Sequence, residues 1–591
     1  MKAKSKVALR LFRKHLARLI TIIAIVIVSV GFMSGLGEVQ NKISISIDEE
    51  YVSYNISDLY LKSKSTFGFS KTERDKIKEE YGEENVLELL SFEEKTDDKI
   101  FRMYSYNLKD ASINTLELLK GRLPETSSEI VIERATDHFI KREIGDKITF
   151  MNNEYEIVGI VFNPMMIVKV DEPSFQFEDE YLSGVYYSHA NSPIIVNDLY
   201  VTVFDKTEEI DVYSKEYEES IDLEKEKVKT ILGEDKVEVL SLYENAGLYS
   251  LQSYADKVGL ISIIFVVFFM LVTILVVFST MKRLFDEERS QIACQKTLGF
   301  NSSKIVARYI FFVLIGATIG GLLALPVGIG LTRIIYSAFN IQYTMPIFPT
   351  TLNFNYYLTT FAIILISATL TTVFSGHHIA GQKPVVLLQP KAPKIGKKTF
   401  LEYIPFIWKK LSFKYKSTLR NVFLFKSRFF MTVISVLGSA VLLFAGLGLL
   451  DNALATDTAQ SLVLISVALV AFSAALCALV IYNITNINVS ERHREIATLM
   501  VLGYQDREVT GYIFREIYIM CLISAILGVP LGILFVSFAF NLIDFGTLTD
   551  INWWTYILAP TITMLFSYIS TRLLKRKITS IDMNASLKSL E

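Results

Sequence analysis

A chain of 591 residues that is 51% hydrophobic and 12% aromatic, with a mean hydropathy of +0.36, is a membrane protein and not a soluble multidomain chain. Its net charge of -2 hides a segregation: roughly three quarters of all Asp and Glu lie between Glu38 and Asp256, leaving that stretch acidic by about twenty charges and therefore water-facing. The three cysteines, Cys294, Cys477 and Cys521, lie outside it, so if it faces the cell exterior it is built without disulfides.

The amino terminus, Met1 to Arg18, carries seven Lys or Arg and no acid, then runs into the apolar segment Leu19 to Leu36. That run exceeds the roughly 7–15 apolar residues of a signal peptide and no A-x-A site follows, so it reads as an uncleaved first span. The acidic stretch comes next and holds a small duplication. ISDLYL at Ile56 to Leu61, a charged helical stretch to Glu80, and YGEENVLELLSF at Tyr81 to Phe92 return as VNDLYV at Val196 to Val201, a helix from Lys225, and LGEDKVEVLSLY at Leu232 to Tyr243. Each unit reads strand, helix, strand. Between them GRLPETSSEIVI (121–132), GDKITF (145–150) and YEIVGIV (155–161) alternate apolar and polar residues, as strands with one buried face do. Tyr243 to Lys257 reads as a helical stalk into the second span.

Further runs of spanning length are expected at Val258 to Met281, Tyr309 to Tyr336, Tyr356 to Phe374, Phe429 to Leu450, Leu462 to Ile484, Tyr512 to Ile543 and Trp553 to Thr571, giving eight spans in all. The loops Ser337 to Asn355, Asp451 to Gln460 and Asp544 to Asn552 contain no Lys or Arg, whereas Lys383 to Arg428 carries about a dozen. Both termini are therefore expected in the cytoplasm and the acidic stretch outside, in a cell membrane. The spans hold few ionisable residues, Arg333, Arg515 and Glu516 near their ends being the exceptions, so no midplane carboxylate relay for ion-coupled transport is visible.

A larger duplication organises the membrane part. ERSQIACQKTLGF, Glu288 to Phe300, returns as RHREIATLMVLGY, Arg492 to Tyr504, pairing Ile292 with Ile496, Ala293 with Ala497, Leu298 with Leu502, Gly299 with Gly503 and Phe300 with Tyr504. The same offset sets Pro326 and Gly328 on Pro530 and Gly532, and a second constant offset sets Leu9, Arg10 and Arg18 on Leu419, Arg420 and Arg428. Each copy reads as a charged helix stopped by a glycine, with polar residues starting the next helix. The expected divisions are an entry segment and first span (1–37), the acidic domain with its stalk (38–257), spans two to four (258–376) including one repeated helix (282–300), a basic connector (377–428), a second four-span unit (429–574) with the other repeated helix (488–504), and a tail (575–591).

This pattern resembles the permease subunits of MacB and FtsX type ABC transporters, in which a glutamate- and arginine-rich cytoplasmic helix ending in Leu-Gly lies between the second and third spans of each four-span unit. The insert GRLPETSSEIVI, GDKITF and YEIVGIV resembles that family's periplasmic core domain. The chain departs from the pattern in fusing two units, only the first with a large outer domain, and its first repeated stretch is one residue shorter between its Glu-Arg pair and its glycine. The resemblance implies a polytopic α-helical membrane protein with eight transmembrane helices in two four-helix repeats and one extracellular α+β domain between helices 1 and 2. It further implies that separate ABC ATPase subunits, an expected dimer holding ATP and Mg, push on the two repeated helices.

On that basis the candidate coupling residues are Glu288, Arg289, Glu491, Arg492 and Glu495 as polar contacts, Ile292, Leu298, Ile496 and Leu502 as apolar contacts, and Gly299 and Gly503 as the points of chain reversal. The plain alternative is that these charges only solvate a loop. Met165, Met166 and Ile167, after Pro164, form an apolar run that would contact cargo or a partner if exposed. The aromatic groups Phe67 to Phe69, Phe175 to Phe177 and Val185 to Tyr187 read first as core and second as a cargo surface. Expected cargo is amphiphilic, such as a lipoprotein, peptide or antibiotic. The competing expectation is an FtsX-like mechanical transmitter acting on an extracellular protein, and a second permease subunit is a further possible partner.

The chain has no G-x-x-x-x-G-K-[ST] phosphate loop, so it is expected not to be an enzyme and to bind no cofactor itself. His15, His138, His189, His377, His378 and His493 show no ligand spacing for a metal, and no G-x-S-x-G elbow supports nucleophilic catalysis. The basic connector reads as a topology signal or a contact to membrane lipids, not as a nucleic-acid site.

Overall fold

The computed structural model describes the chain apart from residues 1–9, 97–98, 135–141, 169–181, 191–192, 206–210, 346–347, 350–353, 390–401, 403–404, 457–459 and 580–591. In chain order the elements begin with α1 (Leu16–Ser53), β1 (Leu59–Ser63), α2 (Lys71–Tyr81), β2 (Val86–Thr96), β3 (Lys99–Tyr106), β4 (Glu117–Gly121), β5 (Glu129–Glu133), β6 (Lys147–Phe150), β7 (Asn153–Phe162), β8 (Leu182–His189) and β9 (Asp198–Val201). There follow α3 (Lys215–Leu232), β10 (Val237–Ser241), α4 (Ala246–Glu287), α5 (Arg289–Thr297), α6 (Ser302–Phe339), α7 (Phe354–Ala380) and α8 (Pro384–Leu388). The second half comprises α9 (Pro405–Lys410), α10 (Phe413–Leu424), α11 (Lys426–Ala455), α12 (Gln460–Glu491), α13 (His493–Val501), α14 (Asp506–Ile543) and α15 (Thr555–Thr579). Among the described residues eight helices, α1, α4, α6, α7, α11, α12, α14 and α15, are long and apolar enough to cross a membrane.

The chain forms two compact units: Met1–Glu38, Leu260–Thr332 and Leu352–Glu591, and a sheet unit of Val39–Gly259 with Arg333–Thr351. In the sheet unit the strand order is β10-β1-β9-β2-β3-β8-β5-β7-β4, with β6 on β7. The four strands β10, β1, β9 and β2 pair antiparallel throughout. With their two helices they form two interleaved strand-helix-strand units, the split arrangement of ferredoxin-like folds. The duplication in the sequence is therefore a two-fold in space: Tyr60 pairs with Tyr200, flanked by Leu59 with Val201 and Leu61 with Leu199. The two tyrosine rings meet edge to face at 4.9 Å. The helices share their signals too. Ser70 and Ser214 cap the amino ends of α2 and α3, and Gly82 and Gly233, at φ 95° and 94°, close the carboxyl ends by donating to Lys78 and Lys229 carbonyls.

Two differences from the sequence reading have plain causes. Helix α3 starts at Lys215, ten residues before Lys225, because Ser214 caps it and Tyr217, Ile221, Val228 and Leu232 bury one helical face within an otherwise charged stretch. Strands β3 and β8 were not anticipated. They pair in parallel at the centre of the sheet, and Tyr186 joins Met103, Ile130, Ile132, Ile148, Phe150 and Ile157 in its core. Val185 to Tyr187 is thus core and not a cargo surface, as is Phe69, whereas Phe67 is exposed. Phe175 to Phe177 lie outside the described residues.

The other unit is built around α1. Val26, Val30 and Met33 of α1 join Met281, Phe285, Tyr309, Phe312 and Ala317 in one apolar cluster. The two halves meet along α4, where the buried Arg283 donates to Asn488 Oδ1 of α12 at 2.8 Å and to Thr432 Oγ1 of α11 at 3.3 Å, and Asn483 donates to Thr280 Oγ1 at 2.8 Å. In an apolar surround such bonds select one register between helices.

Three buried carboxyls in the sheet unit differ in ways that set its pH response. Asp58 accepts from Tyr51 Oη (2.5 Å), Tyr217 Oη (2.8 Å) and the Val203 amide (2.7 Å), which satisfies both of its oxygens. Its duplicate Asp198 is pushed up to about 6 by burial, and Glu50 to about 8 by burial and by the neighbouring charge of Glu117. A carboxyl with a raised folded-state pKa holds its proton more tightly folded than unfolded, so its contribution is complete below the unfolded pKa and is lost as pH rises to the folded value. The melting temperature of the sheet unit, followed by tyrosine near-ultraviolet circular dichroism, is expected to fall from pH 4 to pH 8; Glu50→Gln should flatten the upper part of that slope and Asp198→Asn the lower part.

Candidate coupling surface

Both repeated stretches fold alike. Helix α4 is interrupted at Glu288 and α12 at Arg492, each with backbone angles outside the helical well (φ/ψ -86°/7° and -108°/16°), before the short helices α5 and α13 begin. Each short helix then ends in the same hydrogen-bond pattern. The Phe300 amide donates to the Gln295 carbonyl and the Gly299 amide to Lys296, while Tyr504 donates to Leu499 and Gly503 to Met500. These are Schellman caps, which need a left-handed residue; Gly299 and Gly503 supply it at φ 84° and 90°. A side chain at either glycine would meet nothing within 4 Å, so conformation and not space is what calls for glycine there.

The caps turn an apolar tip outward in each copy. Leu298 is 77% and Leu502 69% exposed, with Phe300, Val501 and Tyr504 also exposed. The inner faces are equally alike, Ile292 and Ala293 in one copy and Ile496 and Ala497 in the other being buried. Helix α5 is braced: Arg289 donates to the Val386 carbonyl of α8 at 2.7 Å, and Lys296 Nζ donates to the carbonyls of Ala380 and Gln382, both at 2.6 Å. A groove of about 1100 Å³ runs beside it between α4 and α7, with Phe278, Leu370 and Phe374 on its walls and Arg289 at its rim.

At each joint sits a buried carboxylate. Glu288 binds Lys14 Nζ at 2.7 Å and His15 Nε2 at 2.9 Å, and Arg18 pairs with the adjacent Glu287. Burial by itself pushes the Glu288 carboxyl up, but the bonds from His15 and Lys14 outweigh it and hold it below the usual range. In the second copy Glu516 of α14 binds Arg492 Nη2 at 2.7 Å through one oxygen and accepts from Asn421 Nδ2 of α10 at 2.6 Å through the other. Glu288 and Arg492 occupy the same place in the repeat with opposite charge. The offset of one residue in the Glu-Arg pairs arises because it is Glu288, not Arg289, that fills the joint occupied by Arg492.

The predicted coupling residues thus divide. Glu288, Arg492, Ile292 and Ile496 are buried and unavailable as contact residues; Leu298, Leu502 and Glu495 are exposed, and Arg289 is engaged with α8. The side chain of Glu491 lies outside the described residues. Residues that the sequence reading did not assign to this site are Lys14, His15, Asn421 and Glu516.

The run Met165–Ile167 is a correction, since its proposed role rested on exposure and all three residues are buried. Met165 Sδ accepts from Tyr60 Oη at 3.1 Å, its carbonyl accepts from Asn245 Nδ2 at 3.1 Å, and the Ile167 carbonyl accepts from the Thr344 amide at 2.5 Å. Proline starts a tight turn here and the methionines fill the space beneath it. Met165→Ser is therefore expected to cost about 2–5 kcal/mol of folding stability, as large-to-small core changes do, and to lower the amount of folded protein recovered instead of selectively altering an activity. Glu288→Lys, which sets a second ammonium against Lys14 in place of its buried carboxylate partner, should cost about 3–5 kcal/mol and register as a lowered melting temperature in detergent.

The family model for the FtsX-like permease C-terminal domain matches the chain twice, over residues 263–384 and 467–583. No curated protein matches it significantly. Each match contains one interrupted helix, one glycine-capped tip and the spans around them, so the chain carries two regions in tandem that are similar to the FtsX-like permease C-terminal domain.

Proposed function

We propose that the chain is the membrane subunit of an ATP-driven ABC complex of the mechanotransmission type, lying in the cell membrane with its termini and both tips in the cytoplasm and its sheet unit outside. The observation that carries this reading is the pair of apolar tips. Two equivalent loops expose Leu298 and Leu502 beside an aromatic residue, next to joints whose Glu288 and Arg492 are buried. Exposed apolar groups at equivalent positions suit a two-fold partner, and ABC ATPases act as dimers. ATP and Mg would be held by those separate subunits, this chain being no enzyme.

Hydrolysis would move α5 and α13 against the ends of the spans. The chain passes between its two units within α1, α4 and α6, each 38 or more residues long, so displacement of a helix has a continuous backbone along which to travel. A helix of that length measures about 57 Å, well beyond the roughly 30 Å of bilayer hydrocarbon. The cargo under this reading is amphiphilic, a lipoprotein, peptide or antibiotic handled at the outer face. Among the described residues Phe67 is the exposed member of these aromatic groups and the place where such a cargo or an extracellular protein would first be sought.

Purification of the tagged chain from its native membrane, followed by mass spectrometry, tests the reading. Wild type is expected to bring down an ABC ATPase, and Leu298→Asp with Leu502→Asp to lose at least about tenfold of it, as removal of paired hot-spot residues does. Equal recovery from both would remove the tips as the docking surface, and recovery of no ATPase from wild type would overturn the ABC reading itself.

A further inference from the structure

We infer that the second half binds the phosphate of an anionic phospholipid in a cleft between α14 and α15. The cleft, of about 380 Å³, is lined by Arg507 and Arg515 from α14 and by Arg572 and Lys575 from α15, with Tyr518 and Thr571 between them. Among the described residues no Asp or Glu lines it. Acids close by in sequence are turned elsewhere: Glu508 accepts from the Gln505 amide at 3.2 Å and Glu516 faces Arg492. Four like charges gathered in one cleft repel one another, and the repulsion grows as the surrounding dielectric falls, so an anion between them is favoured.

A topology signal alone requires cations on one side of the membrane and does not require them to converge. Here Arg515 Nε donates to the Gly511 carbonyl at 2.8 Å, which fixes the guanidinium plane, and Tyr518 and Thr571 share a hydrogen bond of 2.6 Å that joins the two helices beside it. Planar guanidinium forks are the chemistry that recognises a phosphodiester. Further along the same helices Leu522 and Leu565 are exposed, offering apolar wall to acyl chains where a free phosphate would have no use for it. Basic clefts between spans on the cytoplasmic side are suited to anionic headgroups. The physiological placement rests on the orientation proposed above, but the binding itself does not.

The full-length chain, reconstituted in nanodiscs of phosphatidylcholine alone or with phosphatidylglycerol, provides the test, with retained lipid read by native mass spectrometry and stability by thermal melting. Wild type is expected to retain phosphatidylglycerol preferentially and to melt higher in its presence. Arg515→Gln with Arg572→Gln should lower that preference roughly fivefold for each cation removed, whereas Lys304→Gln, at an exposed cation of the first half, should leave it unchanged. Equal preference in wild type and the double variant would overturn the assignment, as would an equal loss from Lys304→Gln, which would mean general surface charge. Stabilisation of wild type by inorganic phosphate in phosphatidylcholine nanodiscs, matching that by phosphatidylglycerol, would replace the lipid with a free anion and overturn it too. Because each variant is compared with itself in the two lipids, a lowered melting point in phosphatidylcholine does not obscure the reading, and loss of ATPase recovery in the pull-down is a separate result.

Discussion

The membrane unit depends on two buried carboxylates, Glu288 and Glu516, each of which ties an entry segment to the joint at which a long helix stops and a short one begins. A carboxylate taken out of water costs several kcal/mol unless it is paired and hydrogen-bonded, so each of these sites holds its joint in one arrangement. With the joint fixed, the direction of α5 or α13 follows, and the glycine cap then decides which residues face out. The glycine caps leave Leu298 and Leu502 exposed at the ends of the two short helices.

The two halves reach this result by different chemistry. In the first the carboxylate belongs to the joint and the cation, Lys14, to the entry segment; in the second the cation belongs to the joint and the carboxylate to the following span. Duplication preserved the geometry while the charges changed places. A swap of this kind needs compensating changes on neighbouring elements, and Asn421 and Glu516 against Lys14 and His15 are those changes. Equivalent tips on non-equivalent supports allow the two short helices, α5 and α13, to differ in stiffness. Helix α5 has the added brace of Arg289 and Lys296 on α8 and the end of α7.

The spans, the glycine caps and the two duplications were legible because each rests on a local signal: apolar length, a residue that tolerates positive φ, or a repeated string. The sheet unit was legible in part. The DLY strings at Asp58 and Asp198 announced a repeat, but not that Tyr60 and Tyr200 would sit opposite each other at its two-fold, since strand neighbours are chosen by packing between distant segments. Strands β3 and β8 escaped because long-range parallel pairing leaves little local trace. The orientation of charged residues on a short helix escaped for a related reason. In a nine-residue helix such as α5 the buried side is set by what lies beneath, and Lys14 and His15 are more than two hundred residues away in sequence.

That misreading bears on how docking surfaces should be inferred in chains of this kind. A charged string beside a span suggests polar contact with a partner, yet a charge at a helix joint is more useful as an internal tie, because a joint has unsatisfied backbone groups and a fixed neighbour within reach. The residues left exposed are then the apolar ones that the cap turns outward. Leu298 and Leu502 follow this logic. Their exposure is tolerable in water only if it is small or covered, and two equivalent patches on one chain make cover by a two-fold partner the economical solution.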